Sequence, residues 1–141
     1  MNKDFTLIPA SHLDLLERPI VVALATVMPD GQPQVNCIWC LYDGTYIRIF
    51  TLRGFQKEKN MRKQPKVTML AVDPQNPYRY LEIRGVVEEM TSEGAEELAD
   101  KLTQRYYNQP TYYGHVEAEE NRDKTELVAC KIRPTRVVVV G

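Results

Sequence analysis

The sequence predicts a mainly β fold, an antiparallel barrel with helices at its periphery. Apolar runs of strand length recur along the chain, and Asp30-Gly31 and Asp43-Gly44 supply tight turns of the kind that join antiparallel strands. The strands come in hairpin-linked runs and do not alternate with helices, which argues against a parallel doubly wound sheet. A length of 141 residues suits a single domain over 1–141 with a real core.

Each element has a local reason. Residues 9–18 read as a short helix, with Ser11 as its cap, Asp14 completing a capping box, and Leu13, Leu15 and Leu16 as its apolar side before Pro19 ends it. Residues 20–27 are almost continuously apolar and read as a buried strand. The turn Met28-Pro29-Asp30-Gly31 leads into a second strand, 32–42, and Asp43-Gly44 into a third, 45–51, so the three form a meander. A helix from Gln56 to about Lys63 stops before Pro65. Residues 66–73 alternate as a fourth strand, Pro74-Gln75-Asn76-Pro77 is a rigid loop, and 78–90 is a long fifth strand. Thr91 or Ser92 caps a helix that runs to about Tyr107, with Leu98 and Leu102 as an apolar pair one turn apart. Residues 108–122 are polar, contain tyrosines and read as irregular. Residues 126–133 and 137–140 are a last strand pair, or one bent strand with Pro134 at the break.

Composition narrows the function classes. A net charge of -1 gives no general attraction to nucleic acid, and no apolar run is long enough to span a bilayer. The N-terminus has no signal-peptide pattern, so a cytoplasmic protein is expected. The three cysteines, Cys37, Cys40 and Cys130, are too few and odd in number for a disulfide framework. Cys37-Ile38-Trp39-Cys40 matches C-x-x-C, but it lies within a strand-like run, where residues three apart point to opposite faces. His12 and His115 have no ligand-like neighbours in sequence, so no metal site is expected, and a haem axial ligand is the one metal role left to them.

The most informative segment is Thr51-Leu52-Arg53-Gly54-Phe55-Gln56-Lys57, which leaves a strand, turns at Gly54 and opens a helix. A helix start, a flexible glycine and flanking cations make an anion site, most naturally for phosphate. Thr51, Arg53 and Lys57 are its candidate ligands. From Arg53 to Lys66 the cations Arg53, Lys57, Lys59, Arg62, Lys63 and Lys66 face one acid, Glu58, in a chain whose net charge is only -1. The simpler reading is a solvated basic helix face.

Four strings, in order and at compatible spacing, resemble one family: 24–34 (LATVMPDGQPQ), 38–44 (IWCLYDG), 51–62 (TLRGFQKEKNMR) and 72–85 (VDPQNPYRYLEIRG). The chain resembles the pyridoxamine 5'-phosphate oxidase-like proteins, and within them the flavin- and deazaflavin-dependent oxidoreductases that often bind coenzyme F420. The resemblance implies an FMN-binding split β-barrel and a homodimer with cofactor at the subunit interface. It implies a ring against the first two strands near Thr26 and Asn36, a phosphate on Thr51, Arg53 and Lys57, and Tyr78, Arg79 and Tyr80 arriving from the partner. Trp39 is a further candidate for cofactor or substrate contact. Many relatives carry Arg or Lys where this chain has Phe55, with Arg53 the substitute cation, and many have Pro near Cys37 and Phe at Cys40, which alters the pocket wall.

The function expected is hydride transfer between reduced F420 and a small unsaturated or conjugated acceptor. The alternatives are an FMN-dependent oxidoreductase and a carrier or sensor of either cofactor without turnover. No side chain is expected to be catalytic in its own right, because the cofactor carries the redox chemistry and the protein supplies position and electrostatics.

Overall fold

The computed structural model describes residues 7–141. A 3-10 turn, Ala10–His12, precedes the short helix α1 (Asp14–Glu17). Strands β1 (Val22–Val27), β2 (Pro33–Ile38), β3 (Leu41–Tyr42) and β4 (Ile47–Leu52) follow, then helix α2 (Gln56–Lys63). The long strands β5 (Lys66–Asp73) and β6 (Asn76–Thr91), helix α3 (Ala95–Tyr107), a 3-10 turn at Glu119–Asn121 and β7 (Leu127–Val140) complete the chain.

All seven strands form one antiparallel sheet in the order β2-β1-β5-β6-β7-β4-β3. The meander expected of the first three strands is therefore corrected: β1–β2 and β3–β4 are hairpins at opposite edges. Only Trp39 and Cys40 separate β2 from β3, and three residue steps reach at most about 11 Å. Two edges that close together mean a sheet curled into a split barrel. The expected strand 32–42 breaks because the Tyr106 hydroxyl takes the Cys40 N–H at 3.3 Å and donates to Ile20 O at 2.8 Å, while the Trp39 ring stacks on Tyr106.

Alternation sets the inner face. In β1, Val22 and Leu24 are buried, in β4 Ile47 and Ile49, in β5 Val67, Met69 and Ala71, and in β6 Leu81 and Ile83. The long pair β6–β7 bends at two register shifts, one at Arg84/Gly85 and one at Val87/Glu89. Gly85 is required there, since a Cβ would lie 2.8 Å from Ile132 Cγ2 and 2.9 Å from Arg133 O. A second, smaller cluster of Leu52, Ala95, Ala99, Tyr112, Tyr113 and Leu127 packs beneath α3 and the segment after it.

Two caps differ from expectation. Ser11 does not cap a helix; its hydroxyl meets His12 Nδ1 at 2.8 Å, while Asp14 binds Arg18 and Arg79. Gly94, not Thr91 or Ser92, stands at the N-cap of α3, with φ +75°. Residues 127–140 form one continuous bent strand, with Pro134 opposite Gly85 at the bend.

Candidate functional site

The turn between β4 and α2 is built by its own hydrogen bonds. Gly54 sits at φ +91°, a backbone conformation that side-chain-bearing residues rarely adopt. Its N–H donates to Glu58 Oε1 at 2.9 Å, and Glu58 also holds Arg62. Burial alone would raise the Glu58 carboxyl, but the Gly54 N–H and Arg62 outweigh it and hold it below the ordinary range. Arg53 turns away to the surface, where its Nε lies 2.9 Å from Glu126 Oε1 and its Nη2 donates to Oε2 at 3.0 Å.

Lys57, in the first turn of α2, is half-buried, and among the described residues no acid pairs with it. Burial pulls its pKa below the ordinary lysine value. It lines a cavity of about 240 Å³ together with Trp39, Thr51, Phe55, Tyr112 and Val116. Thr51 is 3% exposed, and its Oγ1 is buried without a hydrogen-bond partner. A native buried hydroxyl is nearly always satisfied. An unpaired cation and an orphaned hydroxyl in one cavity fit a phosphate group, which accepts from both.

The structure thus brings three of the sequence candidates, Trp39, Thr51 and Lys57, to one cavity, while Arg53 stands outside it in its ion pair. The others lie elsewhere. Thr26 is buried, with its Oγ1 accepting from Asn60 Nδ2 at 3.0 Å and contacting Gln34 Oε1 at 3.3 Å, so its side chain serves the α2–β1–β2 junction. Asn36 is half-buried on edge strand β2, opposite Leu24. Tyr78 is 82% exposed, Tyr80 pairs with Val140, and Arg79 is held by Asp14, Asp73 and the Ser11 carbonyl. Within one chain none of these three residues lines the Lys57 cavity.

Sequence reading missed Tyr112 and Val116, which come from the stretch read as irregular. Asp100 Oδ1 accepts the Tyr112 N–H at 2.8 Å, and the Tyr112 ring stands edge-on to Phe50 with centroids 5.1 Å apart. It also missed Tyr106, which stacks on Trp39 at 5.3 Å with planes 10° apart. The available signal was four tyrosines between 106 and 113 in otherwise polar sequence.

The two C-x-x-C thiols are separated in environment: Cys37 is exposed and Cys40 buried. Burial pushes Cys40 up to about 11 and Cys130 up to about 12, so both stay protonated. His12 Nε2 meets Val140 O at 2.9 Å, and His115 Nδ1 lies 3.0 Å from Thr111 Oγ1. Among the described residues no three His, Cys, Asp or Glu side chains converge as a metal site. None of the described helices is long and apolar enough to cross a membrane.

The curled seven-stranded sheet defines the class as a split β-barrel. The sequence model of the pyridoxamine 5'-phosphate oxidase family matches residues 8–141, and the chain belongs to that family. No curated protein matches the sequence. Among solved structures, an F420 reductase is 40% identical, with 93% of this chain and 98% of that one covered and a TM-score of 0.80. A conserved hypothetical protein from Mycobacterium tuberculosis is 24% identical over 99% of this chain and 88% of that one, with a TM-score of 0.74. The haem storage protein HutZ of Vibrio cholerae shares the fold at 13% identity, covering 97% of this chain and 96% of that one, with a TM-score of 0.65.

Proposed function

We propose that the protein is an oxidoreductase that binds F420 and moves a hydride between it and a small unsaturated or conjugated acceptor. The observation that carries this reading is the unpaired Lys57 beside the orphaned Thr51 hydroxyl in one cavity. The 40% identity with an F420 reductase over nearly the full length of both chains favours deazaflavin over FMN. Reduced F420, once bound, would supply the hydride. The protein's part is position: Lys57 and Thr51 hold the phosphate, Trp39 and Phe55 wall the cavity, and Glu58 keeps the turn in shape by bonding Gly54. In a homodimer the segment 78–80 reaches the site of the partner subunit, which accounts for an exposed Tyr78 at the start of β6, beside an Arg79 fastened to Asp14.

Incubation with FMN and with F420, each followed by gel filtration and an absorbance spectrum, tests the cofactor. Retention of F420, together with oxidation of its chemically reduced form on adding a quinone or enone, supports the proposal. Retention of FMN alone refutes the F420 assignment. Tight F420 binding with no acceptor reduced across quinones, enones and tetrapyrroles makes the protein a carrier.

A further inference from the structure

The charge of the Lys57 cavity is fixed by its walls. Among the described residues that line it, Lys57 is the only charged one. Of the neighbouring cations, Arg53 is paired with Glu126 and Arg62 with Glu58, and Lys59 and Lys63 do not line the cavity. One backbone donor of the turn, Gly54 N–H, is occupied by Glu58, and the first N–H groups of α2, which no side chain caps, carry only partial charge. Phe55, 53% exposed, brings no charge to the wall it forms.

Two neutral donors complete the set. One is the Thr51 hydroxyl, buried and unpartnered. The other is Tyr112, only 7% exposed, whose hydroxyl has no hydrogen bond among the described residues. Its ring is fixed edge-on to Phe50 and to Tyr113, each at 5.1 Å, and Asp100 anchors its backbone. Burial, then the Glu117 carboxylate and Tyr113 beside it, raise the phenol above its ordinary pKa, so near neutral pH it is a donor and carries no charge.

A site with one positive charge and two neutral donors balances one negative charge. A second negative charge in a half-desolvated cavity has no partner and is penalised. A phosphodiester carries one charge across the physiological range, whereas a phosphomonoester gains a second above a pKa of about 6. The phosphate of F420 is a diester and that of FMN a monoester.

We propose that the cavity selects a phosphodiester monoanion over a phosphomonoester dianion, held by Lys57 with the Thr51 and Tyr112 hydroxyls. This rests on the phosphate reading of the site and assigns Tyr112 as a third phosphate ligand.

The test uses three probes with the same ring: FMN, its methyl phosphodiester, and riboflavin. Affinities are measured by flavin fluorescence at pH 8 and pH 5. The wild-type protein is expected to bind the diester about tenfold more tightly than FMN at pH 8, with the gap closing at pH 5 as FMN takes up a proton. Phe55→Lys should close the gap at pH 8 by tightening FMN more than the diester. Tyr112→Phe should loosen the diester about tenfold and leave riboflavin unchanged. FMN binding as well as the diester at pH 8, or a gap that does not respond to pH, overturns the charge selection. A Tyr112→Phe protein with wild-type affinities removes Tyr112 from the site. If the wild-type protein holds riboflavin as tightly as both esters, the phosphate reading itself fails, and that outcome is separate from the other two.

Discussion

Lys57 carries the most weight of any single residue, because it is half-buried, charged and unpaired at once. Lys57→Ala is expected to weaken cofactor binding by about 1.5–3 kcal/mol, roughly tenfold to a hundredfold, in a fluorescence titration. Lys63→Ala, exposed at the far end of α2, should leave FMN affinity unchanged and lower F420 affinity slightly, at low salt only. Equal and small losses in both variants would reduce the basic segment to a solvated face. The same lysine predicts a stability trade. Its folded pKa is depressed, so the unfolded chain holds more protons between the two values and apo stability rises with pH through that window. Below the window its buried charge is a constant cost. Lys57→Met should therefore melt higher than wild type without cofactor at pH 7, and lose that advantage when cofactor is present. The cysteines give an independent check on burial. Titration with an aromatic disulfide at pH 8 should find one fast thiol, Cys37, in the native protein and three after denaturation. Rapid reaction of Cys40 or Cys130 would contradict the environments that push them to about 11 and about 12.

At the scale of elements, the turn from β4 into α2 depends on Glu58. The residue is 2% exposed and joins the helix to Gly54 through one charged hydrogen bond and to Arg62 through an ion pair. Glu58→Ala leaves the Gly54 N–H without its acceptor and is expected to destabilise the fold by about 1–3 kcal/mol in urea unfolding. The pH dependence has a definite sign. The folded carboxyl lies below its ordinary value of 4.5, so its contribution is complete above that pH and is lost as pH falls through the folded pKa. Glu58→Gln should flatten the acid limb of the stability curve below pH 4.5, and an unchanged limb would show that other carboxylates dominate it. This element was legible in the sequence: a helix from Gln56 to about Lys63 was expected and Gln56–Lys63 is found. Pro65 accounts for that, since a proline restricts the residue before it and closes the helix on local grounds. The N-termini of α1 and α3 were not legible, because Ser11 and Thr91 are as able to bond a neighbour as to cap, whereas α3 ends at Tyr107 as expected.

At the scale of the molecule, strands β2, β6 and β7 and the residue before β1 carry exposed apolar side chains: Val21 at 52%, Val35 at 64%, Tyr78 at 82%, and Val139 and Val140 at 37% each. A homodimer would cover such a surface and bring segment 78–80 to a second site. Light scattering is expected to give twice the chain mass at micromolar concentration, and Tyr78→Glu to shift the mass toward one chain and weaken cofactor binding together. A strict monomer with full cofactor affinity would remove the shared-site picture.

By itself, the sequence determined the β class, the two Asp-Gly hairpins, helix α2 and the presence of a cation after a strand–Gly turn. Each is set by dihedral preference, turn chemistry or hydrophobic period over a few residues, so local sequence is sufficient. Tertiary structure decided the rest. It split the run 32–42 at Trp39 and Cys40 because Tyr106, some 66 positions later, competes for the Cys40 N–H. It sent β2 and β3 to opposite edges, coupled Arg53 to Glu126 and brought Tyr112 to Lys57. Those outcomes depend on pairs of residues far apart in the chain, whose meeting is fixed only when the sheet curls and the core closes around it.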